Sequence, residues 1–454
     1  MLLRIALLGA VVGLMAAVLV TLFRLCIELS QQFLLPDGLI GNYEALSGWM
    51  RLFFPVFGAL ILGFLFEKLP VEKRAVGIVH VLDYLRFRKQ QLPFSNAVVQ
   101  FFSGLIAIVS GHSVDREGPG VHLGAVNATL LGRKLSLSED EDYLLAAAGG
   151  AAAIAAAYNT PLAAVIFVIE VFRVRYAVNN IMPVIIATVI GTVISRLVYG
   201  DNPAFTVPSL SIGSLSELPV IVLMGILIGL IAAIFIKSCA FTATHTLGWR
   251  PLYAFLFAGL VTGLLAQWSP DIMGVSYDAV NRIFLDSMSL QALFLLLIAK
   301  LIATAISVGV RLPGGLIGPS LILGGAVGGL TELLVSDWYP FYRGSAGFYA
   351  MIGMVAMMGA VLRAPLASLV ALMELTGNVN IILPGMIVVI TAEIATRGLV
   401  GDMSAFTAML KIKHQQEAAQ HDREQKLLDE QQQVAIADSD NSVSEADDII
   451  HQKQ

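Results

Sequence analysis

The residues best suited to chemistry are the three consecutive charged residues of the segment Asp115-Arg116-Glu117-Gly118-Pro119. Apolar sequence surrounds this segment, at residues 101–110 and 120–131. Ionisable groups at membrane depth are costly unless they face a cavity or a partner, so they commonly mark the path of an ion or a substrate. The Gly-Pro pair predicts that Pro119 opens a helix, because proline suits the first helical position. Glu117 would then lie beside a helix N-terminus, where an anion would compete with its carboxylate.

Composition predicts that membrane helices position this segment. The 454 residues are 57% hydrophobic and 13% charged, with a mean hydropathy of +0.79. Soluble domains have about 25% charged residues, so the chain is predicted to be an integral, all-α polytopic membrane protein. Several apolar runs are shorter than the roughly 20 residues that a full span requires. Broken or tilted helices are therefore expected.

Charged loops predict the topology. The loop of residues 67–93 carries six lysines and arginines, whereas the earlier loop of residues 36–47 carries none. Positive loops stay on the cytoplasmic side, so the N-terminus is expected inside, and residues 1–25 are expected to form a retained helix rather than a cleaved signal. We expect a multi-pass protein of the cell (inner) membrane, surrounded by the lipid bilayer.

Two short motifs recur in the same order. Gly118-Pro119-x-x-x-Leu123-Gly124 reappears at Gly318, an offset of 318 minus 118, or 200 residues. Pro161-Leu162-Ala163, followed by Glu170, reappears at Pro365 with Glu374, an offset of 365 minus 161, or 204 residues. This repetition predicts two copies of one unit. Transporters built from such repeats place their substrate near the bilayer midplane, where interrupted helices meet.

Four prolines are therefore expected to open helices that point at a shared anion site: Pro119, Pro161, Pro319 and Pro365. The Asn159-Thr160 pair before Pro161 is typical of an N-cap. The alternative for each proline is ordinary helix punctuation, and the pairing across the halves favours the anion site. The glycines of Pro313-Gly314-Gly315 would let the backbone approach a bound ion closely.

The predicted domain organisation has two parts. Residues 1–410 form the membrane domain, with a first repeat at about 1–200 and a second at about 215–410. Residues 411–454 are rich in Gln, Glu, Asp and Lys. Such a tail cannot bury a core, and we expect it to be polar, cytoplasmic and largely disordered.

These residues resemble the CLC family of chloride channels and proton-coupled chloride transporters, over roughly residues 1–410. Asp115 to Pro119 resembles the family's G-[KR]-E-G-P motif. Residues 315–319, Gly-Leu-Ile-Gly-Pro, resemble G-x-F-x-P, and residues 75–79, Ala-Val-Gly-Ile-Val, lie where G-S-G-I-P would be. The resemblance implies a homodimer with one anion pathway per subunit, each subunit an inverted repeat of tilted and broken helices.

The resemblance also implies roles for individual residues. Glu117 would be the gating glutamate, which blocks an anion site when deprotonated and admits the ion when protonated. Burial disfavours a charged carboxylate and neighbouring N–H donors favour it, so proton uptake and anion occupancy can be coupled. The alternative is that Glu117 only pairs with Arg116. The expected anion-binding positions are Arg116, Gly118, Leu316, Ile317, Gly318, Val76 and Phe406.

This sequence departs from the family at the anion and proton positions. Val76 and Phe406 replace a serine and a tyrosine whose hydroxyls hold the family's central anion. Val171 stands where many transporters have a second, internal glutamate. Candidates for a proton relay are His112, His122 and Glu170; simple hydrogen bonding by the histidines is the alternative. For Glu170 and its counterpart Glu374, capping or pairing at helix ends is favoured.

The function predicted from the sequence is transport of chloride or a similar small anion, gated by a protonatable glutamate. The mechanism is passive conduction or obligatory anion/proton antiport, and the missing internal carboxylate modestly favours conduction. A membrane scaffold or sensor that has lost transport is the alternative from another class. The sequence has no H-E-x-x-H or G-x-S-x-G motif, so no enzymatic activity is expected. No cofactor, metal or nucleic-acid partner is expected either.

Overall fold

The computed structural model describes residues 2–87, 91–201, 215–285, 287–338, 347–418 and residue 425. The chain divides into two compact units, Met1–Met409 and Leu410–Gln454. The first unit contains every residue predicted for the site. In the second, the structure describes residues 410–418 and 425. The predicted disorder of the tail therefore concerns residues that lie almost entirely outside the described part.

The described residues form α-helices joined by loops and short 3₁₀ turns, and their β-type pairing is a single bridge between Asp115 and Gly315. The helices are α1 (Leu2–Leu34), α2 (Gly48–Lys68), α3 (Gly77–Phe87), α4 (Phe94–Val109), α5 (Glu117–Lys134), α6 (Glu139–Tyr158), α7 (Pro161–Glu170), α8 (Val178–Tyr199), α9 (Leu218–His245), α10 (Pro251–Leu265), α11 (Tyr277–Phe284), α12 (Leu290–Gly309), α13 (Ile317–Trp338), α14 (Phe348–Leu362), α15 (Pro365–Thr376) and α16 (Ile382–Val400). A last helix, α17, covers residues 405–418.

Among the described residues, seven helical stretches are long and apolar enough to cross a membrane. They are Leu3–Leu34, Gly48–Lys68, Val178–Tyr199, Leu218–His245, Leu290–Gly309, Ile317–Ser336 and a stretch within Val379–Ala418. Within the described part of the chain, five further apolar helices have 10 to 17 residues, fewer than the roughly 20 of a full span. The chain is a multi-pass membrane protein of long and short helices, as its composition predicted.

Two helix pairs in the interior pack backbone against backbone. A Cβ atom added to Gly124 of α5 would lie 2.3 Å from the carbonyl oxygen of Gly149 in α6. A Cβ atom added to Gly324 of α13 would lie 2.2 Å from the carbonyl oxygen of Gly353 in α14. Only glycine permits these approaches. The two crossings use residues that are 200 and 204 positions apart, the same offsets as the sequence motifs.

The short helices α7 and α15 hold each other at their N-termini. The carboxylate of Glu374, in the last turn of α15, accepts hydrogen bonds from the backbone N–H groups of Leu162 and Ala163, both at 2.9 Å. The carboxylate of Glu170, the last residue of α7, accepts hydrogen bonds from Leu366 (3.1 Å) and Ala367 (2.8 Å). We call this arrangement the glutamate clasp.

The glutamate clasp corrects the predicted capping of α7. Pro161 and Pro365 do open their helices, but Thr160, the N-cap residue of α7, makes no capping hydrogen bond with its side chain. Asn159 ends α6 in the left-handed conformation, with φ of 60°, and its side chain accepts a hydrogen bond from Arg196. The free N–H groups at the start of α7 are satisfied by a carboxylate from 212 residues away in the chain, which a local capping rule cannot foresee.

Candidate functional site

The N-termini of α5 and α13 meet in the interior. Asp115 donates its backbone N–H to the carbonyl oxygen of Gly315 at 3.2 Å. The approach is so close that a Cβ atom on Gly118 would lie 2.7 Å from the Cα atom of Gly315. The start of α3 lies nearby, since a Cβ atom on Gly77 would be 3.8 Å from the carbonyl oxygen of Gly314. Three helix N-termini therefore converge on residues 313–318.

Pro119 and Pro319 lie two residues further into their helices than predicted. Helix α5 begins at Glu117 and α13 at Ile317, so Pro119 and Pro319 are third rather than first helical residues. The N–H groups of the whole first turn lack intrahelical partners. Proline is therefore tolerated there without loss of a hydrogen bond.

The carboxylate of Asp115 bridges the two helix starts. Its Oδ1 accepts a hydrogen bond from the backbone N–H of Gly118 in α5 at 3.0 Å. Its Oδ2 accepts a hydrogen bond from the N–H of Gly318 in α13 at 2.8 Å, across 203 residues of sequence. The Asp115 side chain is completely buried. We call this arrangement the aspartate bridge.

The carboxylate of Glu117 lies next to the aspartate bridge and is held more weakly. The residue is 2% exposed. Its Oε1 accepts a hydrogen bond from the hydroxyl of Tyr277 in α11 at 2.6 Å and lies 3.5 Å from Nε of Arg116. Its Oε2 is buried and has no hydrogen-bond partner among the residues that the structure describes. That oxygen lies 3.7 Å from the position that a Cβ atom on Gly318 would take.

Aromatic and cationic groups surround Glu117. The hydroxyl oxygens of Tyr277 and Tyr158 are 3.2 Å apart, which places the end of α6 beside the site. The guanidinium of Arg116 lies over the Tyr277 ring, 5.3 Å from its centroid, and 3.7 Å from the carboxylate of Glu28 in α1. Arg116 thus pairs with both Glu28 and Glu117. Its pairing with Glu117 does not occupy the second carboxylate oxygen.

The structure brings together most of the predicted anion-binding positions. Gly118, Leu316, Ile317 and Gly318 are buried where α5 and α13 meet, and Arg116 precedes α5. Val76 is half-buried directly before α3, and the N–H of Gly77 donates to the side chain of Gln100 at 2.6 Å. Phe406 is buried in α17. The hydroxyl groups beside Glu117 belong to Tyr277 and Tyr158, which the sequence interpretation missed.

The proton-relay candidates lie in three different environments. Nε2 of His122 is 3.0 Å from Nδ1 of His80, in a buried, stacked pair between α5 and α3. His112 is buried before α5, with its Nε2 about 3.8 Å from the position of a Cβ atom on Gly58 in α2. Glu170 belongs to the glutamate clasp. His80 was also missed, since no motif marks it.

Two further charged residues of the long helices, Glu393 and Lys300, have different surroundings. Glu393 of α16 pairs with Arg363 and Arg397, each at 3.0 Å. Lys300 of α12 is completely buried, and its ammonium group donates hydrogen bonds to the carbonyl oxygens of Ile272 and Gly274 and to the Ser276 hydroxyl. These bonds fix the backbone that leads into α11, the helix that carries Tyr277.

Curated relatives cover most of the chain. The H(+)/Cl(−) exchange transporter ClcA of Vibrio cholerae is 29% identical over 420 residues, which are 89% of this chain and 88% of the relative. The ClcA protein of Yersinia pestis is 28% identical over 418 residues, which are 89% of this chain and 87% of the relative.

Solved structures share the fold. A slow cyanobacterial Cl⁻/H⁺ antiporter aligns with a TM-score of 0.76 at 21% identity, over 90% of this chain and 97% of that one. A CLC-type fluoride/proton antiporter aligns with a TM-score of 0.73 at 20% identity, over 90% and 98% of the two chains. The family model for voltage gated chloride channels matches residues 58–397, which contain Glu117, Tyr277 and the start of α13. The chain therefore belongs to the voltage gated chloride channel family.

Proposed function

We propose that this protein transports chloride or a similar small anion across the membrane, with Glu117 as its gate. The observation that carries the proposal is the position of the Glu117 carboxylate. It is buried where two helix N-termini meet, held by the single hydroxyl of Tyr277, and its second oxygen has no partner in the described part of the chain. Helix N-termini favour negative charge, whether it belongs to a side chain or to a free ion.

The proposed gate works by exchange of one negative charge for another. While Glu117 is ionised, its carboxylate fills space beside Gly318 and repels an incoming anion. Protonation removes that charge and weakens the attraction of the helix ends for the side chain, so an anion can take its place. A proton and an anion are thus linked at one residue, which suits both proton-activated conduction and coupled exchange.

Relatives favour coupled exchange over passive conduction. The ClcA proteins carry the name of H(+)/Cl(−) exchange transporters, and two of the similar structures are described as antiporters. Val171 argues against exchange, because it supplies no carboxylate at the end of α7. Its carbonyl oxygen accepts a hydrogen bond from Arg86 at 2.7 Å. The histidine pair His80–His122 forms a polar contact between α3 and α5, and it offers titratable groups for a proton path.

Reconstitution in liposomes separates the two mechanisms. Purified protein in vesicles with a tenfold chloride gradient is expected to drive protons uphill if transport is coupled, and to leave the internal pH unchanged if conduction is passive. Repeating the assay with nitrate, bromide and fluoride ranks the anions. Absence of selective anion flux under every condition would overturn the transport proposal and leave the scaffold or sensor alternative.

The gate assignment is tested by Glu117→Gln. Glutamine keeps the size and the acceptor for Tyr277 but cannot be ionised, so anion flux should become independent of pH, and any coupled proton movement should cease. Glu72→Gln is the matched control, because Glu72 is exposed in the turn before α3. Unchanged pH dependence in Glu117→Gln would show that another residue is the gate.

We further infer that residues 1–200 and 215–410 are two repeats, that residues 411–454 form a separate tail, and that the protein is a homodimer of the cell (inner) membrane. The reciprocal glutamate clasp and the matched glycine crossings support the repeats. The clasp joins corresponding positions of the two halves, and the glycine crossings recur at corresponding positions within each half. Chemical cross-linking in membranes, followed by mass determination, tests the dimer.

A further inference from the structure

We propose that Asp115 is a built-in competitor of the transported anion, a second carboxylate that holds the helix N–H groups which an incoming ion needs. The inference rests on the proposed function and extends it from the gate to the residue that sets anion affinity. Its basis is the aspartate bridge. In the G-[KR]-E-G-P pattern this position is glycine, which has no side chain to place there.

The geometry of the aspartate bridge is that of a bound anion. One carboxylate accepts N–H groups from the starts of two different helices, Gly118 at 3.0 Å and Gly318 at 2.8 Å, and the side chain is completely buried. Both N–H groups belong to helix starts that converge on residues 313–318. A free chloride ion at the same helix ends would have to find other donors or displace the carboxylate.

Glu117 shows that the site is already shared between two negative groups. Its Oε2, which has no hydrogen-bond partner among the described residues, lies close to Gly318, whose N–H is taken by Asp115. An anion that replaces the Glu117 carboxylate therefore meets a second carboxylate beside it. The Asp115 carboxylate and an anion beside it carry like charges, which repel strongly inside a protein. Asp115 should therefore lower anion affinity even when Glu117 has moved away.

Other charged and titratable groups around Asp115 are few in the described part of the chain. Glu117 lies two residues along the chain, and Tyr158 of α6 and Lys300 of α12 interact with Asp115 electrostatically. The hydrogen bonds of Lys300 go to the backbone before α11 rather than to Asp115. Lys300 therefore reduces the local negative charge without releasing the two N–H groups.

A purely structural role makes a different prediction. If the aspartate bridge only joins α5 to α13, then removal of its charge should lower stability and leave anion binding unchanged. If Asp115 competes with the anion, removal of its charge should tighten binding. Asparagine retains the shape and one acceptor, and glycine removes the side chain and frees both N–H groups.

The experiment is isothermal titration of chloride into detergent-purified full-length protein at a fixed neutral pH, for wild type, Asp115→Asn and Asp115→Gly. The chloride dissociation constant is expected to fall by about tenfold or more in Asp115→Asn. It is expected to fall further in Asp115→Gly. Asp278→Asn is the charge-matched control, since Asp278 is exposed in α11 and its carboxylate lies beside Gly41 in the loop before α2; its dissociation constant should equal that of wild type.

The outcomes are distinct. Unchanged chloride affinity in a folded variant would overturn the proposal and leave Asp115 as a structural bridge. Loss of folding in both variants, seen as aggregation on size-exclusion chromatography, would overturn it in the same way. If wild type, both variants and Glu117→Gln all bind no chloride and show no flux, the proposed function itself fails, which separates that failure from the failure of this inference.

Discussion

Two pairs of helix N-termini in this protein receive carboxylates in opposite ways. In the glutamate clasp, each carboxylate accepts two backbone N–H groups from the other short helix, so both oxygens of Glu170 and Glu374 are satisfied. At the start of α5, the aspartate bridge takes the N–H groups. Glu117 keeps one phenolic donor, an ion pair with Arg116, and one oxygen that has no partner in the described part of the chain.

The difference shows how carboxylate side chains can serve two roles in one membrane protein. The number of hydrogen-bond donors decides whether a carboxylate joins helices or is free to move. A carboxylate with two N–H donors is fixed, because leaving would break two hydrogen bonds, each worth about 1 kcal/mol. A carboxylate with one hydroxyl donor can leave at lower cost. Fixed carboxylates in the clasp are suited to joining α7 and α15, and the loosely held Glu117 is suited to gating.

The largest expected effect comes from separating the helix starts at the site. In Gly118→Ala the new Cβ atom would lie 2.7 Å from the Cα atom of Gly315, and backbone must move. We expect a loss of about 3 kcal/mol in unfolding free energy and loss of anion flux, measured by thermal unfolding in detergent and by liposome assay.

Gly120→Ala is the control for that substitution. A Cβ atom on Gly120 would meet the side chain of Val20 at 3.6 Å, an ordinary contact. Stability and flux should therefore resemble those of wild type. Equal tolerance of both substitutions would show that α5 and α13 do not depend on the close approach at Gly118.

The clasp should show a smaller effect, and on stability first. Glu374→Ala leaves the N–H groups of Leu162 and Ala163 without their acceptor, and Glu170→Ala does the same at α15. Each is expected to lower the free energy of unfolding by about 2 kcal/mol. Both substitutions disrupt the same contact between α7 and α15. The double variant should therefore lose less unfolding free energy than the sum of the two single losses.

Glu117→Gln sharpens the comparison as the stability control. It removes a buried charge and leaves no backbone N–H group unpaired, so its unfolding temperature should equal or exceed that of wild type. A loss as large as that of Glu374→Ala would contradict the distinction between fixed and loosely held carboxylates.

The smallest effect is expected at the hydroxyl that contacts Glu117. Tyr277→Phe removes the 2.6 Å hydrogen bond to Glu117, a donor that stabilises the ionised carboxylate. Without it the carboxylate is held less firmly, so anion flux at a fixed pH should rise by up to about fivefold, equivalent to about 1 kcal/mol. Tyr158→Phe, one hydroxyl further away, should raise the flux less. Unchanged or lower flux in Tyr277→Phe would contradict this role.

Much of the fold was predictable because its signals are local or repeated. Hydropathy predicted a multi-pass membrane protein, the spacing of Pro161 and Glu170 pointed to a second copy at Pro365 and Glu374, and the charged segment marked Glu117. The family resemblance added the expected roles. Glu117 as the gate and the anion-binding positions remain predictions for the experiments above.

The partners of these residues were not predictable because they come from distant parts of the chain. Tyr277 contacts Glu117 across 160 residues, and no motif surrounds it. Asp115 was read as one charge of a motif, whereas its carboxylate reaches Gly318 across 203 residues. Asn159 and Thr160 looked like a local cap for α7, but a long-range carboxylate from Glu374 satisfies that helix start. Pairwise contacts of this kind depend on packing that residue types alone do not specify.

The glycine crossings described for α5 with α6 and for α13 with α14 also limit how the protein can move. At these crossings backbone carbonyl oxygens contact the neighbouring backbone directly, and no flexible side chain lies between them. Sliding one helix past the other would therefore disrupt the packing. Rotation about two or three single bonds of one carboxylate needs no such disruption. We therefore expect the proposed gating to occur by rotation of the Glu117 side chain, while these helices keep their positions.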